Sequence, residues 1–489
     1  MRVHSRLKSP EKKGKDLPAE ERNDQQEIFL NGVDYVTGSY LSPPVTLNDL
    51  VQIAQDELRQ VPQGEQNALK LAQKRKSAKT YGFAANLDDI QEANWGVIFA
   101  QDESVEVRNA IQVLVEHRSR LIGKDAPVFT YRPGWSANQF LACNGVQSGF
   151  GDAETVPYYL LLVGGPERIP WRLQYQLAGE YGVGRLAFEQ AADYQDYIDR
   201  LIDYETSAHI PNRREAVFWA TANQSAIGWK DQATQLSSSV LAQGLFDSLP
   251  DGLGFEKTML RSAEATKSCL ADQLSQEKPP VLLFTASHGL GFSAITPDQP
   301  RLQGALITQD WKTDHPATRS DFFCADDLLS LPKMNVRGMV HFAFACYSAG
   351  APKNDDYSYG TLQPIADRPF AAQLPAQILK NGALAFIGHI DRAWGFSFID
   401  QNDQPMLEGY KRALLRILKG NYLGHALRDQ YDRGIQLSAG LMEDLSDMEW
   451  GKEVLPLSLA NRWVERNDAR AYCLMGDPGA CVRVQEVGK

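Results

Sequence analysis

The sequence predicts an α/β protein built on a mostly parallel sheet buried on both faces. Three observations carry this. Apolar runs such as WGVIFA (Trp95–Ala100), YYLLLVGG (Tyr158–Gly165) and AVFWATA (Ala216–Ala222) are continuous rather than alternating, which suits strands covered on both sides. Segments with helical spacing stand between them. The alternation of strand and helix then recurs along most of the chain, as βαβ units require.

The elements follow in order. Residues 1–27 are highly charged with few apolar positions and are expected to be a disordered tail. After Trp95–Ala100, the spacing of Val107, Ile111, Leu114 and Val115 predicts a helix, with Asp102 placed to cap it. Tyr194, Tyr197, Ile198, Leu201 and Ile202 mark one face of a second helix. Further strands are expected at Ala216–Ala222, Val281–Thr285, Met339–Ala345 and Gly382–Gly388. The units near 95–120 and 216–247 look alike in kind, so the reading is a subdomain over 28–150 and a larger one over 151–489.

Bulk properties narrow the function. The net charge of −11 argues against a nucleic-acid-binding surface. No run approaches 18 apolar residues and the N-terminus lacks an apolar signal region, so a cytoplasmic protein without a membrane span is expected. The six cysteines form no CxxC pair, which points away from zinc ribbons, redox motifs and a disulfide framework. G-x-S-x-G, H-E-x-x-H, P-loop and dinucleotide fingerprints are absent, and neither metal nor organic cofactor is expected.

Two strands end in chemistry. VLLFTASHGLGF carries Ser287-His288-Gly289 at its terminus, and GMVHFAFACYSAG carries Cys346 in the same place. In a parallel sheet both ends reach one edge, where ligands bind. A thiol and an imidazole suffice for nucleophilic attack on an acyl carbon. The N–H groups of Gly289 and Cys346 could hold the oxyanion, and Gly289 would admit a close backbone. Singly, a cysteine in an apolar strand is more often a core residue; the pairing is what favours catalysis.

These two motifs resemble the His-Gly and Ala-Cys signatures of caspase-like cysteine peptidases. The stretch YYLLLVGGPERIPWRLQYQLAGEYGVGRLAFEQAADYQDYIDRLIDYE (158–205) is similar to the entry of the catalytic subdomain in gingipain-type peptidases, and LMGDPGACVRV to the final strand of related sequences. The resemblance spans roughly residues 95–480 and implies a caspase-like three-layer α/β/α sandwich. It also implies a cysteine endopeptidase with Cys346 as nucleophile and His288 as general acid/base, acting through a thioester on protein or peptide substrates.

The same resemblance places Asp231 at the base of a pocket for Arg or Lys, although Asp231 also reads as a helix cap. Asp355 and Asp356 are a second source of negative charge, or a solvated turn. Asn223 stands where the gingipain pattern has a glutamate near the histidine, and could orient the imidazole. The loop GHIDRAWGFSF would offer backbone to a substrate strand, with Trp394 walling the pocket or lying in an aromatic cluster. His341 and His389 read as core or supporting histidines. A cytoplasmic peptidase needs restraint, so a zymogen is expected, released by an upstream protease or a regulatory partner, with cuts in residues 1–27 or in YRPGWSANQ. By resemblance a bacterial defence or cell-death role is implied. The alternative is an inactive scaffold that keeps the fold for interaction.

Overall fold

Ten strands, the apolar runs among them, pair edge to edge in the computed structural model, which describes residues 29, 31–60, 83, 85–355, 363–400 and 404–484. The expected tail over 1–27 and Asp356 lie outside the described residues. The strands are β1 (Trp95–Ala100), β2 (Val128–Tyr131), β3 (Tyr159–Val163), β4 (Gly182–Leu186), β5 (Arg213–Ala220), β6 (Glu256–Arg261), β7 (Pro280–Ala286), β8 (Val340–Phe344), β9 (Ala385–His389) and β10 (Tyr472–Gly476). They run across the sheet as β2-β1-β3-β4-β10-β9-β8-β7-β5-β6.

Within this sheet every pairing is parallel except one. β10 lies antiparallel to β9, with His389 opposite Tyr472, and parallel to β4. The sheet therefore consists of two parallel halves joined at the β9/β10 seam. β3 pairs with β1, so the strands before and after residue 150 share one half. The continuous apolar runs have their physical reason here: β1, β3, β7, β8 and β9 are buried along their whole length.

The principal helices are α1 (Leu47–Gln60), α2 (Val105–Ile122), α3 (Ala191–Thr206), α4 (Gln232–Leu236), α5 (Gln373–Lys380), α6 (Glu408–Leu418), α7 (Arg428–Glu449) and α8 (Pro456–Ala471). α2 buries Val107, Ile111, Leu114 and Val115, as its spacing predicts. Its cap differs from the expectation. Ser104, not Asp102, accepts from the Val107 N–H, because residues 101–102 are spent on a turn closed by Glu103 N–H to Ala100. On α3, Tyr194, Tyr197, Ile198 and Leu201 are buried, and Ile202 only partly.

Arg185, from the Gly-Arg-Leu segment, is wholly buried in β4. It donates to Gln174 Oε1 (2.7 Å) and to the carbonyls of Gly164 (2.8 Å) and Ile169 (2.7 Å), and stacks on Trp171. The signature thus fastens the Gly164–Ile169 loop to the sheet. Besides the main core, α1 packs with Leu47 and Leu50 against Trp394, Leu459 and Trp463. A third cluster gathers Val33, Leu290, Phe292, Ile307, Trp311 and Phe322. No helix among the described residues is long and apolar enough to cross a membrane.

Candidate active site

β7 and β8 are neighbours in register, with Ala286 opposite Phe344, so Ser287-His288-Gly289 and Ala345-Cys346-Tyr347 leave the sheet side by side. Their backbones touch. A Cβ on residue 289 would lie 1.9 Å from the Cys346 carbonyl oxygen, so only glycine fits there. Tyr347 takes a positive φ of 55°, an uncommon conformation that turns the chain sharply behind the thiol. The Tyr347 N–H donates to Asp391 O at 2.8 Å, which holds this turn against the loop after β9.

Both His288 and Cys346 are fully buried. His288 Nε2 faces Asp231 Oδ2 at 2.9 Å, and Nδ1 accepts from the Gly32 N–H at 2.8 Å. Since an amide N–H only donates, Nδ1 is the unprotonated nitrogen and the Nε2 proton points to Asp231. Cys346 Sγ accepts from the Ala393 N–H at 3.1 Å and donates to the Asn31 carbonyl. Burial pushes the thiol up to about 12, and the Ala393 N–H and Arg392 only partly offset it.

Asp231 is where the sequence reading and the structure part. It is expected at the base of a pocket for a basic substrate side chain. Its Oδ2 instead takes His288 Nε2 together with the N–H and hydroxyl of Thr234, and its Oδ1 takes the Tyr40 hydroxyl. It also caps α4, the other role the sequence allows. Burial raises its pKa, but the electrostatic pull of His288 and these hydrogen bonds outweigh that and hold it at about 2. With both oxygens committed, Asp231 orients the histidine and leaves no carboxylate for a substrate cation.

Asn223 does not reach the imidazole. Its side chain donates to the carbonyls of Thr308 (2.8 Å) and Trp311 (3.3 Å), while its own carbonyl accepts from the Asp231 N–H at 3.0 Å. It braces the residue that braces His288. Asp355 is no solvated turn either, because Arg392 grips it through both oxygens at 2.6 Å. Trp394 is 1% exposed and stands edge-on to Trp463, with its ring centroid 5.0 Å away. It also borders a cavity of about 820 Å³, together with Leu41, Val45, Phe292, Tyr347 and Arg392. His341 hydrogen-bonds Thr285 and His389 pairs with Asp468, both inside the core.

The segment Asn31–Leu41 is the part sequence reasoning passed over. Val33–Asp34 runs parallel to Leu290–Gly291, and Val33 N–H donates to Gly289 O at 3.1 Å. The chain turns at Asp34–Gly38 and comes back with Tyr40 on Asp231, its ring edge-on to His288 at 5.5 Å. Asp34 followed by Thr37 and Gly38 was a turn signal in the sequence, and the Asp34 side chain accepts from the Val36 and Thr37 N–H groups. Nothing local in it says that the hairpin covers the dyad.

Comparisons with known proteins identify the family. A family model described as Peptidase family C25 matches residues 44–483. A comparison with curated proteins found no match. Among solved structures, the Arg-specific cysteine proteinase gingipain R is 15% identical with a TM-score of 0.42, over 80% of this chain and 78% of that one. The complex of gingipain pro- and mature domains from Porphyromonas gingivalis gives 14% and 0.44, over 79% and 80%. The separase–securin complex of Saccharomyces cerevisiae gives 12% and 0.30, over 65% of this chain and 15% of that one. With the family match spanning nearly the whole chain, the protein belongs to peptidase family C25, the gingipain family of cysteine-type endopeptidases with the caspase-like α/β/α fold.

Proposed function

We propose that the chain hydrolyses protein substrates through Cys346, with His288 as general acid/base and Asp231 as the residue that orients it. The observation that carries this is the line Asp231–His288 Nε2 at 2.9 Å, with Nδ1 on the N–H of Gly32, in the same peptide unit whose Asn31 carbonyl meets Cys346 Sγ. A base oriented by a third group is the usual arrangement behind an activated nucleophile. The thiol gives its proton to Nδ1 and attacks the substrate carbonyl carbon. The N–H groups of Gly289 and Cys346 receive the oxyanion. His288 then protonates the leaving amine, and water hydrolyses the thioester.

Asp231 and Asp355 do not supply a preference for Arg or Lys in this reading, because both are already paired. A latent state does belong to it. The dyad is fully buried beneath Asn31–Leu41, and a thiol held near pKa 12 carries almost no thiolate at neutral pH. Release of this segment would uncover the site.

The test is hydrolysis of fluorogenic peptides ending in Asn, Arg, Lys, Asp or Leu, by wild type and by Cys346→Ala. Hydrolysis lost in the variant supports the reading. Turnover that survives in Cys346→Ala overturns it.

A further inference from the structure

The cover over the dyad is a single peptide unit that lies across both the thiol and the imidazole. The carbonyl of Asn31 meets Cys346 Sγ, and the N–H of Gly32 meets His288 Nδ1 at 2.8 Å. These are the two halves of one bond: the acyl group a thiolate attacks and the amine a histidine must protonate. The flanking chain is held as a bound peptide is held. Asn31 N–H donates to Ala393 O at 3.2 Å, on the loop after β9. On the other side, Val33 and Tyr35 donate to the carbonyls of Gly289 and Gly291 at 3.1 and 3.0 Å. Residue 32 must be glycine, since its φ is +113° and a Cβ there would stand 2.9 Å from Cys346 Sγ.

The Asn31 side chain is 1% exposed, and its Nδ2 donates to Ser287 O at 2.8 Å. Its Oδ1 has no partner among the described residues. A backbone carbonyl is a fixed acceptor. It suits an amide N–H, repels a carboxylate of the same shape, and offers no counter-charge to an arginine.

From this juxtaposition we infer that the enzyme cuts its own Asn31–Gly32 bond, and that the pocket beside Cys346 selects asparagine as the residue before the cleaved bond. The inference rests on the Cys346–His288 dyad proposed above. In the step, the thiol proton passes to His288 Nδ1 once the Gly32 N–H lets go, and an Sγ–C bond forms at the Asn31 carbonyl carbon. The C–N bond then breaks as His288 returns the proton to the Gly32 nitrogen. Water cleaves the thioester, giving a carboxylate at Asn31, a free amine at Gly32 and the regenerated thiol. One water is consumed. The family match begins at residue 44, so the cut leaves the matched unit whole. The vacated pocket would then take asparagine from other proteins, with a small residue following.

The experiment incubates the purified full chain and reads its intact mass and N-terminal sequence over time, beside Cys346→Ala, Asn31→Asp and Asn31→Gln. The expected result is a chain beginning at Gly32, absent in Cys346→Ala. That variant also separates hydrolysis from the slow spontaneous succinimide chemistry of Asn-Gly. Asn31→Asp and Asn31→Gln should slow the cut by at least about tenfold, the scale of discrimination a mismatched pocket gives. Peptides ending in Asn should be cleaved at least about tenfold better than those ending in Arg or Lys. An enzyme that hydrolyses peptides after another residue while its Asn31–Gly32 bond stays intact overturns the inference and leaves the peptidase reading standing. A chain that cuts neither itself nor any peptide overturns both.

Discussion

Two buried histidine–aspartate pairs stand at the carboxyl edge of the same sheet. His288 meets Asp231 at 2.9 Å at the end of β7, and His389 meets Asp468 at 3.0 Å at the end of β9. Both imidazoles are fully buried and both use Nε2. The difference lies on the other nitrogen. Nδ1 of His288 faces a peptide N–H beside the thiol, whereas Nδ1 of His389 has no partner among the described residues. The His389 ring instead lies 4.1 Å from Tyr472, and Asp468 also takes the Tyr410 hydroxyl and the Trp394 N–H. A His–Asp pair alone is therefore a structural clasp. What faces the second nitrogen is what separates the pair proposed for catalysis from the clasp.

This comparison can be broken experimentally. The largest effect is expected at the reacting groups. Cys346→Ala and His288→Ala should each lower kcat/KM on peptides by about 10⁴-fold or more, with thermal stability held close to wild type in Cys346→Ala. Next come the two aspartates. Asp231→Asn should cost roughly 10²- to 10⁴-fold in kcat, because the imidazole loses its orientation and tautomer. Asp468→Asn should keep kcat within about threefold and instead lower stability by about 1–3 kcal/mol, the cost of a broken buried hydrogen-bond set. Equal losses of kcat in both variants would show that the pairs do not differ in function.

The cover gives a smaller effect. Gly32→Ala should lift Asn31–Leu41 from the dyad, since its Cβ would collide with Cys346 Sγ and with Leu41, 2.6 Å away. Alkylation of Cys346 by iodoacetamide should speed up by about tenfold or more, the factor that ~1.4 kcal/mol of weakened closure gives. Unchanged labelling would mean that the segment does not limit access.

The smallest effect is on acid stability. Asp231 ionises at about 2 in the fold against 3.8 ordinarily. Because its folded pKa is lowered, its pairing stabilises the protein above about pH 4 and is lost as pH falls through about 2. The gap between wild type and Asp231→Asn in urea midpoints should correspond to about 2 kcal/mol at neutral pH and narrow between pH 4 and 2. A gap independent of pH would remove the ionic part of the pairing.

The ends of β7 and β8 show how much the sequence by itself determined. Continuous apolar runs closing in Ser287-His288-Gly289 and Ala345-Cys346 are local patterns, and a parallel sheet brings such ends to one edge whatever lies between them. The Gly-Arg-Leu segment was legible in the same way, as a short string with a fixed place in a strand. Asp231, Asn223 and Asn31 were not. Their roles depend on which loops meet above the edge, and Asp231 reads equally well as a helix cap or a pocket carboxylate until Tyr40, Thr234 and His288 are seen to claim both its oxygens. Asn31 and Cys346 are 315 residues apart in the chain. Hydrophobic period and strand-end chemistry act over a few residues, so the sequence determined the sheet and the dyad. Contacts over hundreds of residues depend on the packed whole, so only the tertiary structure decided what orients the histidine and what covers the thiol.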